Sequence, residues 1–499
     1  MEAKRRARGW ASRHGAFVLC AFLLLFSALP LYLISFYNHP YYDDFGFSAG
    51  VHQTWQSTGS LSRVCEKALE SAAEVRSTWQ GTYTGTLLSN IQPGVFSEKL
   101  YFLGTFFLLT AFLACFLIFF QTVFPALGLT KEESGTLGCL TLTLLLQFMP
   151  DTGEAFFWFN GGVGNLFIYA LLALSAALLL RLARANTRGQ TLGLTAALAV
   201  LMVALGGGSY GGGLFGLCLL ALATAWLFWK KQPKRWIFAG LLGLFLICFL
   251  YSVVAPGNGV RAGVIGYQSS PVKAVVQSFY QGAALIGGWL KLPLLGVTVA
   301  LWPFLWRAAK NSSFSFRRPW AVILLFYCLF CVQLTPPLYS IAGIGGGRIE
   351  DTYWISFVVF WLLSAYEIAG FLARRPTALP EGRRRRAAAL LGAGMLVVGG
   401  LGYKQPEDRL YGLQNLQCVS AALSLVSGEA ARYDQEMTAR EELLNDPSQP
   451  SVTLSPLTAS PKVFMEDLLI PGAVYDVRPS LCLYYQKTSI SIRGEEAKP

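Results

Sequence analysis

The chain has 499 residues, 54% of them hydrophobic and 14% charged, with a mean hydropathy of +0.46 and a formal net charge of +12. A soluble protein carries about 25% charged residues, so this composition excludes a water-soluble globular fold. The charge does not indicate a nucleic-acid surface either: Lys and Arg gather in short segments between apolar runs, as in the cytoplasmic loops of a membrane protein.

Only helices and closed barrels satisfy their backbone in a bilayer. The apolar runs are about 16 to 24 residues long rather than ten-residue alternating strands, so the expected fold is an all-α polytopic membrane helix bundle. The ten cysteines are scattered, mostly inside apolar runs. Cys328 and Cys331 match CxxC but lie mid-helix, where they read as core packing. His14, His39 and His52 are too few and too scattered for a metal cluster of their own.

Lys4 to Arg8 precede the first apolar run, Gly15 to Phe36, which reads as an uncleaved anchor with a cytoplasmic N-terminus. Asn38 to Ser48 follows, with Asp43 and Asp44 framed by Tyr41, Tyr42, Phe45 and Phe47. Ionised groups where a membrane helix surfaces are costly to hold, and tend to be buried in protein or to line a wet cavity. A lone Asp there reads equally well as a helix cap. The doubled acid in an aromatic frame points to a base, a metal ligand or a cation site.

Residues 37–100 form an outer loop with a helical middle, Leu61 to Thr84, and Trp79-Gln80-Gly81-Thr82-Tyr83 is its most distinctive piece. Spans from about Tyr101 to Phe124 and Gly135 to Met149 lead to a second acidic, aromatic loop, Asp151 to Gly161, on the same side as Asp43. Its aromatics read first as belt anchors; beside Asp151 and Glu154 they also suit a sugar ring or a lipid head. A span at about Val163 to Leu180 is followed by two that flank Gly206 to Gly213, a tight turn between closely packed helices. The span Trp236 to Val254 delivers Pro256-Gly257-Asn258-Gly259-Val260-Arg261, turn chemistry followed by a cation on the face where one is disfavoured.

Residues 271–289, with Lys273, suit a re-entrant or interfacial helix before the span Leu290 to Trp306. Another span begins near Trp320, and the loop Gly345-Gly346-Gly347-Arg348 presents a further outer cation before the span Tyr353 to Phe371. The last span is about Ala387 to Leu401. About eleven spans with a cytoplasmic start divide the chain into a membrane domain, 1–403, and an extracytoplasmic domain, 404–499. That tail reads as a small α/β cap, with a helical stretch from Asp408 to Asn445 and strand-like runs Ser451 to Leu457 and Leu481 to Ile492. In an oxidising space Cys418 and Cys482 have the option of pairing.

Taken together, the acidic loop after the first span, the outer arginines, the many helices and the outer C-terminal domain resemble the GT-C class of glycosyltransferases. More closely, Tyr41 to Phe45, Trp79 to Tyr83, Phe157 to Gly161, Pro256 to Arg261 and Leu483-Tyr484-Tyr485 resemble the motifs of a sparsely characterised bacterial family of polytopic proteins. The resemblance implies a plasma (inner) membrane enzyme that moves a sugar from a polyprenyl-phosphate donor to an envelope glycan, lipid or protein on the outer face. It implies Asp43 or Asp44 as the catalytic base, and Arg261 on the donor phosphate with Arg348, Lys273 or Arg76 as helpers. Glu154, Asp151, Trp158, Asn160, Trp79, Tyr83 and Asn258 would contact sugar or acceptor. Asp-Asp stands where mannosyltransferases of the class show Asp-Glu, which leaves a divalent metal ion on Asp43 and Asp44 open. A transporter or flippase for a lipid-linked saccharide would use the same aromatics and cations, but the chain shows no inverted repeat. A non-catalytic envelope-assembly protein is the third reading. An acyltransferase lacks a histidine within any span to act as base.

Overall fold

Among the described residues, eight helices are long and apolar enough to cross a bilayer: Gly15–Tyr37, Glu98–Ala126, Phe159–Arg184, Arg188–Gly206, Tyr210–Trp229, Arg235–Val253, Leu292–Asn311 and Gly347–Ala373. The chain is therefore a multi-pass, all-α membrane bundle. The computed structural model describes residues 2–374, 381–404, 411–470 and 475–494. The first helix shows how the sequence builds the bundle. Leu24, Ala28, Leu31 and Ile34, three or four residues apart, are buried, while Phe22, Leu25, Phe26 and Leu29 between them are exposed. In water that exposure would be costly; against lipid it is not.

The other three expected spans are shorter or more polar. Lys131–Gln147 opens with charge and is started by a capping box between Thr130 and Glu133. Pro319–Val332 has 14 residues, roughly 21 Å at 1.5 Å per residue against about 30 Å of hydrocarbon. In Glu381–Leu401 the apolar part is confined to Arg386–Leu401.

The outer loop is more helical than its composition suggested, with helices Asp43–Thr58, Leu61–Thr78 and Tyr83–Asn90. The expected middle helix stops at Thr78. Trp79–Thr82 break it because the chain there is pinned against its neighbours: a side chain at Gly81 would overlap the Ser252 carbonyl. Pro256 is likewise not in a turn. It opens a helix, Pro256–Ile265, at the first position, where a missing N–H costs nothing. Pro271–Trp289 is a helix, as expected, and keeps Val272, Val276 and Tyr280 exposed. Gly206 to Gly213 is a tight junction: Ser209 caps the following helix, and Gly207 lies flat on the Tyr83 ring.

In the C-terminal segment, Gln417–Val426 packs against the first helix, and Gly428 in a left-handed conformation separates it from Glu429–Asn445. Leu410 and the start of the expected helix at Asp408 lie outside the described residues. The second strand-like run is a helix, Arg478–Tyr485, followed by a strand, because Pro479 in the first turn favours the helix start. The strands Ser451–Leu454 and Ser489–Ile492 pair in parallel, Val452 opposite Ile490. A buried pair, Arg440 with both oxygens of Asp467 at 3.0 and 2.7 Å, ties the segment together. Cys418 and Cys482 are free thiols.

Candidate functional site

Asp43 and Asp44 form the first turn of the Asp43–Thr58 helix, rather than an extended segment, where the helix dipole favours negative charge. In a helix, neighbours point about 100° apart, and the two acids part accordingly. Asp44 is fully buried. Its Oδ2 accepts the Tyr41 N–H at 3.0 Å and the Tyr101 hydroxyl at 2.5 Å, and its Oδ1 accepts the Asn160 N–H at 3.0 Å. Burial pushes its carboxyl up to about 7, and the three hydrogen bonds pull the other way. Asp44 thus joins the loop after the first span to the Asp151–Gly161 loop. Asn38 does the same, donating to the Phe157 carbonyl at 2.7 Å.

Asp43 is half-buried and lies within electrostatic reach of two guanidinium groups, those of Arg348 and Arg261. Burial raises its carboxyl, and Arg348 and then Arg261 oppose the rise. Each cation is held by partners of its own. The Arg348 backbone N–H and guanidinium both donate to Glu154 Oε2, at 2.7 and 3.1 Å, and its guanidinium lies 4.7 Å from the Trp158 ring centre. Glu154 is placed by its own N–H on Asp151 Oδ1 at 2.9 Å, and Asp151 by its N–H on Asp351 Oδ1 at 2.8 Å. Asp351, fully buried and one helical turn after Arg348, closes that ring of contacts. Gly347 is needed here, since a side chain would overlap the Asp151 carboxylate.

Arg261 donates to Gln80 Oε1 at 2.7 Å and lies 5.3 Å from the Trp79 ring centre. Asn258 Oδ1 accepts the Gly81 N–H at 3.2 Å and the Tyr210 hydroxyl at 2.7 Å. Gly257 lies against the Trp79 backbone, where a side chain would not fit. Two stretches about 180 residues apart in sequence therefore form one unit, which holds the half-buried Arg261 cation.

Not every expected residue joins this centre. Arg76 donates to the Tyr251 carbonyl at 3.1 Å and lies 3.9 Å from the Tyr251 ring centre. Together with Leu69, Tyr83, Ile247 and Tyr251 it lines an open groove of about 460 Å³. The Tyr83 hydroxyl is spent on the Val203 carbonyl. Lys273 is exposed on the Pro271–Trp289 helix. The Asn160 side chain accepts from Ser89 at 2.6 Å, so its part here is its backbone N–H. Three residues at the centre were missed by sequence reasoning: Tyr101, Gln80 and Asp351. Only Gln80 carried a signal, its place inside the Trp79–Tyr83 stretch.

The residues present do not fit a divalent metal. Both Asp44 oxygens are taken by three donors, Glu154 is taken by Arg348, and the field at Asp43 is already positive from Arg348 and Arg261. Among the described residues no group of three or more His, Cys, Asp or Glu is arranged to hold one.

The C-terminal segment is joined to this loop by a buried imidazole. His39 Nε2 lies 2.9 Å from Asp434, its Nδ1 3.6 Å from Glu98, and its ring meets Tyr433 edge-on. Burial alone would lower its pKa, but the two carboxylates together outweigh that and raise it to about 9. The Tyr485 hydroxyl also donates to Glu98, and the Tyr484 hydroxyl to the Gly94 carbonyl at 3.2 Å. No protein-family model matches this chain, and no curated protein or solved structure matches it significantly.

Proposed function

We propose that the chain is a plasma-membrane glycosyltransferase of the GT-C type, moving a sugar from a polyprenyl-phosphate donor to an envelope acceptor on the outer face. The observation that carries this reading is the half-buried Asp43 carboxylate at the surface end of the first membrane helix, within electrostatic reach of two guanidinium groups that are fixed in place, Arg348 on Glu154 and Arg261 on Gln80. That arrangement suits a substitution with a phosphate leaving group. Asp43 accepts the proton of an acceptor hydroxyl, whose oxygen bonds to the anomeric carbon. The bond from that carbon to the phosphate oxygen breaks, its electron pair goes to the phosphate, and the guanidinium groups balance the charge that develops there. Burial raises the Asp43 pKa, which makes its carboxylate a better proton acceptor, and the two arginines oppose that rise. Asp44, with its oxygens already occupied, fixes the loop. The apolar groove beside Arg76 and Tyr251 supports a donor with a long hydrocarbon chain.

The contacts also support eleven crossings. Asn160 and the Asp151 loop meet Asp44, so Lys131–Gln147 returns the chain to the side that Glu98–Ala126 left. Arg348 meets Glu154 of the Asp151 loop, which supports the same return by Pro319–Val332 after Leu292–Asn311. The contact of His39 with Asp434 supports a C-terminal segment opposite the N-terminus, with Glu381–Leu401 as a crossing. The basic Arg181, Arg184, Lys230, Lys231, Lys310 and Arg374 then all fall on the N-terminal, cytoplasmic side.

The test is native mass spectrometry of the protein purified in mild detergent. A polyprenyl phospho-sugar should accompany the wild type and be lost from the Arg261→Ala, Arg348→Ala double variant. Equal retention of such a lipid by the double variant, or its absence from the wild type, counts against the reading.

A further inference from the structure

We infer that Tyr42 and Tyr475, backed by Trp158, form a platform for the pyranose ring of a saccharide acceptor, so that the C-terminal segment takes part in choosing the acceptor. This rests on the transferase reading for the word acceptor, but the binding site stands on its own geometry. The Tyr42 and Tyr475 ring centres are 5.6 Å apart, and Tyr42 lies 6.1 Å from Trp158. Trp158 is only 3% exposed and is enclosed by Tyr41, Tyr42 and the Arg348 guanidinium. The rings left accessible are Tyr42, half-buried, and Tyr475, 59% exposed. They adjoin Asp43, the next residue after Tyr42.

Two features suggest that the platform serves a ligand rather than the fold. Tyr42 holds a φ of 45°, a left-handed conformation that costs a non-glycine residue on the order of 1–3 kcal/mol and gathers at functional sites. The Trp158 Nε1–H is buried with no partner in the protein, as is Asp351 Oδ2 behind it, and unpaired buried polar atoms of this kind are uncommon. The chemistry then narrows the ligand. Accessible aromatic faces, electron-rich at the centre, attract polarised C–H groups, and one face of a pyranose presents such a row. The rim is polar, with two tyrosine hydroxyls, Asp43 and Arg348, which suits a ring edged by hydroxyls. A cationic ligand is disfavoured, because Arg348 already occupies the Trp158 ring and Arg261 lies nearby. A plain acyl chain would leave the polar rim unpaired.

The experiment is saturation-transfer-difference NMR on the full chain in nanodiscs. The probes are methyl glycosides of hexoses, N-acetylhexosamines, 6-deoxyhexoses and hexuronic acids. At least one probe should receive saturation, strongest on the C–H protons of one ring face. Tyr475→Ala should weaken its binding about fivefold, as expected for loss of one aromatic contact, while Tyr475→Phe keeps it. Trp229→Ala, an exposed ring on the Tyr210–Trp229 helix, should leave binding unchanged. No saturation of any probe, or equal saturation in Tyr475→Ala, overturns the inference. Saccharide binding that depends on Tyr475 in a chain that transfers no sugar upholds the inference and removes the transferase reading. Sugar transfer with an affinity for acceptor that ignores Tyr475 does the reverse.

Discussion

Changing Asp44 to asparagine probes the joint on which the site is built. The carboxylate receives three hydrogen bonds on two oxygens, and an amide has only one oxygen to offer. The least costly rotamer keeps the amide oxygen at the Oδ2 position, for Tyr41 and Tyr101. The amide nitrogen then faces the Asn160 N–H, and above about pH 7, where Asp44 is ionised, one charge-assisted bond is lost, worth about 2 kcal/mol. Local opening at Asn160 should therefore become about thirtyfold easier, since 1.36 kcal/mol is a factor of ten. Hydrogen–deuterium exchange on peptides covering 156–165 reads this directly, with peptides in Gln417–Val426 as the unaffected reference. Asp44→Ala removes all three bonds and should expose residues 38–48 as well. The pH dependence has a defined sign. Folding raises the Asp44 pKa to about 7 from an ordinary value near 4, so the folded state holds the proton more tightly. Its contribution is complete below about pH 4 and is lost as pH rises through 7, so the stability gap between wild type and Asp44→Asn should narrow over that range. Exchange at Asn160 that is unchanged in Asp44→Asn would refute the reasoning.

Further expectations concern the cations, the histidine and the sidedness. Arg261→Lys keeps a charge but loses the planar fork that also reaches Gln80, so it should already impair transfer; Arg261→Ala should lower turnover about a hundredfold, on the order of 3 kcal/mol, as measured by single-turnover kinetics on folded protein. Asp351→Ala removes the acceptor for the Asp151 N–H, and should loosen Arg348 through Glu154, weakening donor binding in native mass spectrometry while Asp351→Asn largely preserves it. His39 is raised on folding to about 9, so its stabilisation is complete below about pH 6.5 and lost as pH rises through 9; thermal melts of wild type should fall across that window and those of His39→Gln should not. A periplasm-active reporter fused after Pro499 should be active and a cytoplasm-active one silent, and the opposite pattern would reverse the topology.

The membrane class and most helices were legible because long apolar runs leave few alternatives to a bundle. The outer acids and cations were legible for a related reason: charge at a membrane surface is costly and so conspicuous. What sequence did not show is how they pair. Gln80 reaches Arg261, and Tyr101 reaches Asp44, across 181 and 57 residues, and no local pattern encodes such meetings. Arg76 looked equivalent to Arg261 by type and side, yet its guanidinium is spent on Tyr251, a neighbour that only the packed helices bring near. Tyr475 carried no signal because a single tyrosine in a polar segment has no periodicity to mark it. The helix of residues 478–485 was read as strand because a short apolar run cannot separate the two states, and Pro479 in its first turn settled the matter.

The central claim is that Asp43 is the base of a sugar transfer, and single-turnover transfer by Asp43→Asn tests it most directly. Purified wild type and variant, each carrying its bound polyprenyl phospho-sugar in nanodiscs, would be mixed with envelope acceptor and the loss of donor followed with time. Asparagine keeps the size and polarity of the side chain and removes the proton acceptor. The account predicts donor occupancy equal to wild type with turnover lowered about a hundredfold or more. Wild-type turnover in Asp43→Asn would contradict it.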